Sequence, residues 1–101
     1  MTTVLIVDDD PVIARLMGDA LMRDGFTIAV AHSLAEARQI AHPDLVIADV
    51  RLPNGDGRHL RADYPGIPFL TTSGAENMLP DLPKPFSMAA LRAAVRELIV
   101  R

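Results

Sequence analysis

Five residues stand where they could do chemistry together. Asp8 and Asp9 close the apolar run Val4, Leu5, Ile6 and Val7; Asp49 closes a second such run, residues 45–48; Ser73 follows a third; Lys84 stands just before Pro85 and Phe86. In an open parallel α/β sheet, helix N-termini and loops converge outside the carboxyl ends of the strands, so polar residues at those ends share one site. Three carboxylates brought within about 5 Å repel each other by roughly 3 kcal/mol per pair at an effective dielectric of 20, which requires raised pKa values or a cation. A cation is the simpler answer. All-oxygen donors with open positions left to water suit Mg²⁺, with Mn²⁺ as a substitute, and such ions accept a phosphate oxygen. The expected ligand is therefore a phosphoryl group.

Those strand ends must be set side by side, and the patterning of the chain supplies the elements. Short β-branched runs alternate with stretches of helical spacing, which predicts an α/β fold with a parallel sheet. Residues 4–7 are continuously apolar, as in a central strand covered on both faces. Asp10 and Pro11 read as the N-cap and first position of a helix with Val12, Ile13, Leu16, Met17, Ala20 and Leu21 on one face, ended by Gly25. Residues 26–31 form the second strand, and Ser33 to Glu36 is a capping box opening a helix to about residue 41, before Pro43. After the third strand, residues 45–48, comes a loop in which Asn54, Gly55 and Gly57 read as turn chemistry only, then a short helix over 58–63. Residues 67–72 form the fourth strand. Residues 75–83 are too few and too Pro-rich for both a normal helix and a full strand, and Ser87 caps a last helix burying Leu91, Val95, Leu98 and Ile99.

Composition narrows the function. A chain of 101 residues makes one domain. No run approaches the roughly 18 uninterrupted apolar residues of a membrane span, and residues 1–3 lead into the first strand without an export signal, so a cytoplasmic protein is expected. The absence of cysteine excludes disulfides, zinc–thiolate sites and cysteine nucleophiles. A net charge of −3, no basic stripe and few aromatic residues give no surface for direct nucleic-acid binding. His32, His42 and His59 lie at no metal-like spacing and read as surface or capping residues; Met17, Met22, Met78 and Met88 read as packing or surface filler.

The motifs VLIVDDDP, DLVIADVRLPNGDG, PFLTTSG and LPKPFS, in this order, resemble the receiver domains of bacterial response regulators over nearly the whole chain. The resemblance implies a flavodoxin-like, doubly wound parallel five-stranded sheet of order 2-1-3-4-5, here with the fourth helix and fifth strand abbreviated, forming one receiver domain over 1–101 without an output domain. It implies Asp49 as phosphoacceptor, and Asp8, Asp9, Asp49 and the backbone carbonyl of Arg51 as Mg²⁺ ligands. Ser73 and Lys84 would bind phosphoryl oxygens, Gly74 would keep the pocket open, and the Lys84–Pro85 bond would be cis. Arg51 and Ala75 would flank the phosphoryl group and set its lifetime. The implied partners are a histidine kinase or histidine phosphotransfer protein and an unknown downstream protein, with no nucleic acid or membrane. Such a domain is a phosphoacceptor rather than an enzyme, apart from self-catalysed phosphotransfer and dephosphorylation.

The chain departs from the family where the output face usually lies. The segment between Ser73 and Lys84 is short, and Asp81 stands three residues before Lys84, where an aromatic switch residue is usual. A monomer or weak dimer is therefore expected, with residues 74–83 undergoing an order–disorder change on phosphorylation. A degenerate receiver used as a constitutive binding module, and a Mg²⁺-dependent phosphatase of the haloacid-dehalogenase type, are the alternative readings. The second fits less well, since that class resembles a pattern of two aspartates spaced two apart after the first strand, together with a cap domain.

Overall fold

The structure, a computed structural model, describes residues 2–53, 55–74 and 80–99. Strands β1 (Thr3–Val7), β2 (Thr27–Ala31), β3 (Leu45–Asp49), β4 (Phe69–Ser73) and β5 (Leu82–Pro83) form one sheet in the order β2-β1-β3-β4-β5, with every pairing parallel. Helices α1 (Pro11–Arg23), α2 (Leu34–Ala37) and α3 (Met88–Ile99) and a 3-10 helix (Gly57–Ala62) complete the fold, and a small antiparallel ladder joins Arg51–Leu52 to Gly55–Asp56. The register aligns the strand ends: Val7 lies opposite Ala31 and Ala48, Asp49 opposite Thr72, and Ser73 opposite Pro83. Residues that follow each strand therefore emerge along one rim.

Both faces of the sheet are covered, as the unbroken apolar runs of β1 and β3 require. Val4, Ile6, Leu45, Ile47 and Leu70 pack with Ala14, Met17 and Leu21 of α1 and Leu91 and Val95 of α3. Leu5, Val7, Val46, Ala48 and Phe69 pack with Leu34 and Ala37 of α2 and Leu60 of the 3-10 helix. Local signals set the helix ends. The Asp10 carboxylate accepts the N–H groups of Val12 and Ile13, satisfying two donors that the helix itself leaves open, and Pro11 takes the first position. Gly25 leaves α1 at φ +94°, and Ser87 Oγ accepts the Ala90 N–H at 3.0 Å.

Several local expectations are corrected. On α1, Val12 and Leu16 are 66% and 53% exposed, while Ala14 and Gly18 face inward. A Cβ on Gly18 would already touch Ile28 Cγ2 at 3.4 Å, so the helix lies against the sheet on its small residues. Ile99, expected inside, is 38% exposed. Helix α2 stops at Ala37 rather than near residue 41, with the Tyr64 hydroxyl standing at its end within hydrogen-bond reach of the carbonyls of Ala37 and Ile40. Strand β2 begins at Thr27 rather than residue 26, β3 includes Asp49, and β4 covers Phe69–Ser73 rather than 67–72. The expected helix over 58–63 is a 3-10 turn starting at Gly57. The short β5 matches expectation; Asn54, Ala75, Met78 and residues 75–79 of the proposed 74–83 switch segment lie outside the described residues.

Candidate functional site

At the rim formed by the ends of β1 and β3, the carboxylates of Asp8, Asp9 and Asp49 place oxygens within 4.8 Å of one another. Asp8 is fully buried and Asp49 nearly so, whereas Asp9 is exposed. Lys84 arrives from beyond β5, positioned by its N–H donating to the Ser73 carbonyl at 2.8 Å. Its ammonium donates to Asp8 Oδ2 and Asp49 Oδ2, each at 2.9 Å. The Lys84–Pro85 peptide is cis. Ser73, at the end of β4, is 2% exposed on the same rim. Gly74 is next to it; a Cβ there would stand 3.8 Å from that of Lys84, an ordinary contact.

The two buried acids each have a built environment. Asp8 Oδ1 accepts the Asp10 N–H at 2.9 Å and Asp49 Oδ1 accepts the Arg51 N–H at 3.2 Å, leaving Arg51 itself exposed beside the site. Burial pushes the Asp49 carboxyl above its ordinary pKa, and the Asp8 charge adds to this, against the opposing pull of Lys84 and the Arg51 N–H. For Lys84, burial alone would lower the pKa, but the hydrogen bonds it donates to Asp8 and Asp49 outweigh it and raise the value. The group stays charged. Two buried carboxylates held by one ammonium, with a third carboxylate exposed at the mouth, make an all-oxygen donor set that fits Mg²⁺.

Gly57 is part of this construction, which corrects its reading as turn chemistry. It donates its N–H to the Val50 carbonyl at 2.9 Å, and a Cβ on it would come within 1.9 Å of the Asp49 carbonyl oxygen. Only a residue without a side chain lets the 3-10 helix back against the Asp49 peptide. Two further features escaped the sequence reading. The His32 ring nitrogen Nδ1 lies 3.0 Å from the Asp8 carbonyl oxygen. Asp81 takes up the free edge of β4: its carboxylate accepts the Thr71 N–H at 2.9 Å and the Thr71 hydroxyl at 3.0 Å, and its own N–H donates back to Thr71 Oγ1. Arg61 stacks over the Phe69 ring at 4.7 Å and brings a guanidinium nitrogen within 3.9 Å of Asp81 Oδ2. The only sequence signal for this clasp is the acid standing where an aromatic residue is usual.

A cleft of about 450 Å³ opens beside Lys84, lined by Ile13 and Leu16 of α1 and by Gly74, Pro85, Phe86 and Met88. No helix among the described residues is long and apolar enough to cross a membrane.

Comparison with known proteins agrees with this geometry. Residues 4–96 match the family described as "Response regulator receiver domain". The chain is 35% identical to "Sensor kinase CckA" of Brucella abortus (strain 2308), over 96% of its own length and 12% of that protein's. It is 34% identical to "Probable transcriptional regulatory protein TcrX" of Mycobacterium tuberculosis (strain ATCC 25618 / H37Rv), over 98% of its own length and 50% of that protein's. It thus spans half or less of these relatives. The first alignment runs over 117 positions against a chain of 101 residues, so that relative carries residues that this chain lacks. Among solved structures, the receiver domain of the hybrid histidine kinase CckA superposes with a TM-score of 0.86 at 26% identity, covering 96% of this chain and 98% of that one. The fold also matches TrrA from Thermotoga maritima, solved in complex with Mg²⁺-BeF, with a TM-score of 0.84 at 24% identity over 97% and 99% of the two chains.

Proposed function

The chain belongs to the response regulator receiver family, a family of signalling domains, and on that premise we propose that Asp49 accepts a phosphoryl group from a histidine kinase or histidine phosphotransfer protein. The observation that carries the assignment is the Lys84 ammonium bridging Asp8 and Asp49 at 2.9 Å each, with Asp9 beside them. A carboxylate oxygen of Asp49 attacks phosphorus in line, the bond to the donor's imidazole nitrogen breaks, and the electron pair leaves with that nitrogen. Lys84 offsets negative charge on the transferring oxygens, and the Ser73 hydroxyl orients one of them. Asp8, Asp9 and Asp49, with the Arg51 carbonyl, would hold Mg²⁺, which supplies charge neutralisation on the phosphoryl oxygens when bound. Arg51, exposed next to Asp49, would shield the acyl phosphate from hydrolytic water.

The raised pKa of Asp49 suits this role. A carboxylate that is costly to hold charged in the folded protein gains when it becomes an acyl phosphate and the charge moves outward to the phosphoryl oxygens. The apolar cleft between α1 and the segment after Lys84 gives the donor a surface to seat on within reach of Asp49. The message is passed on through contact with another protein, the domain works in the cytoplasm, and its catalysis is confined to its own phosphorylation and dephosphorylation. The test is intact-mass spectrometry after incubation with Mg²⁺ and acetyl phosphate. One added phosphoryl group, lost in Asp49→Asn and lost with EDTA, supports the reading. No adduct, together with a silent beryllofluoride titration, would make the domain a constitutive binding module.

A further inference from the structure

The acidic pair depends on a peptide whose orientation is set from outside the loop that carries it. At the end of β1 the Asp8 N–H donates to the Ala31 carbonyl at 3.0 Å, continuing the ladder with β2. In a parallel ladder the Asp8 carbonyl would next accept the N–H two residues beyond Ala31. That residue, Ser33, is instead the N-cap of α2, with its Oγ accepting the Glu36 N–H. The side chain of His32 takes up the position the ladder gives up, with Nδ1 3.0 Å from the Asp8 oxygen. Because a carbonyl can only accept, Nδ1 carries the hydrogen. His32 is itself exposed, and it lines a groove with Pro11, Ala14 and Arg15 at the start of α1, the helix that follows the acidic pair.

With this bond, all four polar atoms of Asp8 are engaged: N by Ala31, O by His32, Oδ1 by the Asp10 N–H and Oδ2 by Lys84. The carbonyl held by His32 belongs to the peptide that joins Asp8 to Asp9. Its plane sets the direction in which the exposed Asp9 side chain leaves the backbone, and hence whether three carboxylates converge or two do. We propose that His32 is a positioning residue for the cation site: its Nδ1–H fixes the Asp8–Asp9 peptide so that both carboxylates face the ion held with Asp49. The inference rests on the reading of that cluster as a divalent-cation site. A group that orients a ligand from behind typically changes metal affinity by 10-fold or more when removed, and about tenfold is expected here.

The test is a titration of the unphosphorylated protein with MgCl₂, followed through the backbone amide NMR signals of Asp9 and Asp49. Wild type, His32→Ala, His32→Asn and Asp9→Ala are compared, with thermal midpoints measured in EDTA. Asn places its side-chain amide nitrogen as many bonds from Cα as Nδ1, so it restores the donor without the ring. The expected result is a roughly tenfold weaker Mg²⁺ affinity in His32→Ala, recovery in His32→Asn, and no relation between affinity and thermal midpoint across the set. Saturable binding in wild type, abolished in Asp9→Ala but unchanged in His32→Ala, overturns the positioning role alone, as does an Asn variant no better than Ala. Absence of saturable Mg²⁺ binding in wild type overturns both the cation site and the role built on it.

Discussion

Replacing Lys84 by Met removes the charge between two carboxylates and keeps the length of the side chain. Asp8 and Asp49 then face each other across no more than 4.8 Å, with Asp8 fully buried and Asp49 7% exposed. At an effective dielectric of 20, two unit charges at that distance repel by about 3.5 kcal/mol. The escape is to protonate one carboxyl, which at pH 7 costs about 4 kcal/mol for an ordinary carboxylate and less for Asp49, whose pKa burial raises and which has lost the opposing pull of Lys84. Breaking one partner out of a buried ion pair costs about 3–5 kcal/mol in general, and partial solvation of Lys84 argues for the lower end, about 3 kcal/mol. In a domain of this size each kcal/mol moves the thermal midpoint by roughly 4–8 °C, so Lys84→Met melts some 12–24 °C below wild type in EDTA. A divalent cation replaces the missing charge, and about 10 mM MgCl₂ should close at least half of that gap by preferential binding to the folded state. Because the chain has no tryptophan, far-UV circular dichroism is the suitable probe. A variant less than about 0.5 kcal/mol below wild type in EDTA, or one equally destabilised with and without Mg²⁺, would refute the electrostatic reasoning.

Further consequences follow from single residues. Gly57→Ala would drive a Cβ into the Asp49 carbonyl at 1.9 Å, so it should lose about 1–3 kcal/mol in urea unfolding and accept phosphate more slowly from acetyl phosphate. Thr72 buries a hydroxyl that has no partner among the described residues, and the isosteric Thr72→Val should raise stability by about 1 kcal/mol; a loss would mean that the hydroxyl is satisfied after all. Asp49 has a raised pKa in the folded state, so the native protein holds this proton at pH values where the unfolded chain has released it, and the charged form costs stability above both values. Asp49→Asn, which unlike Lys84→Met leaves no buried charge without a partner because Lys84 keeps Asp8, should accordingly be more stable than wild type at pH 7 in EDTA. That advantage should shrink as the pH falls through the folded pKa toward 3.8, and a constant gap across the range would contradict the assignment.

The parts of the molecule that could be read from the sequence are those where local and global demands coincide. The unbroken apolar runs of β1 and β3 announce strands covered on both faces, and the polar residues that end them lie together on one rim because the sheet is parallel. Asp10, Pro11 and Ser33 place helix starts because capping is a contact of near neighbours. The errors have the opposite character. Helix α1 turns Ala14 and Gly18 inward and the larger Val12 and Leu16 outward, and at Gly18 a Cβ would already touch Ile28, a constraint set by the sheet and not by the helix. Helix α2 ends where Tyr64 satisfies its carbonyls from more than twenty residues away. The bond from His32 to Asp8, the Asp81 clasp on Thr71 and the close approach of Gly57 to Asp49 likewise join segments whose proximity only the fold creates.

The central claim is that the phosphoryl group is held on Asp49. Borohydride reduction of the protein after treatment with acetyl phosphate and Mg²⁺, followed by peptide sequencing, tests it at the residue. Reduction of an aspartyl phosphate leaves homoserine, so the account predicts homoserine at position 49 and at no other aspartate. Homoserine at Asp8 or Asp9, or an intact Asp49 in protein whose mass shows that it carried a phosphoryl group, would contradict it.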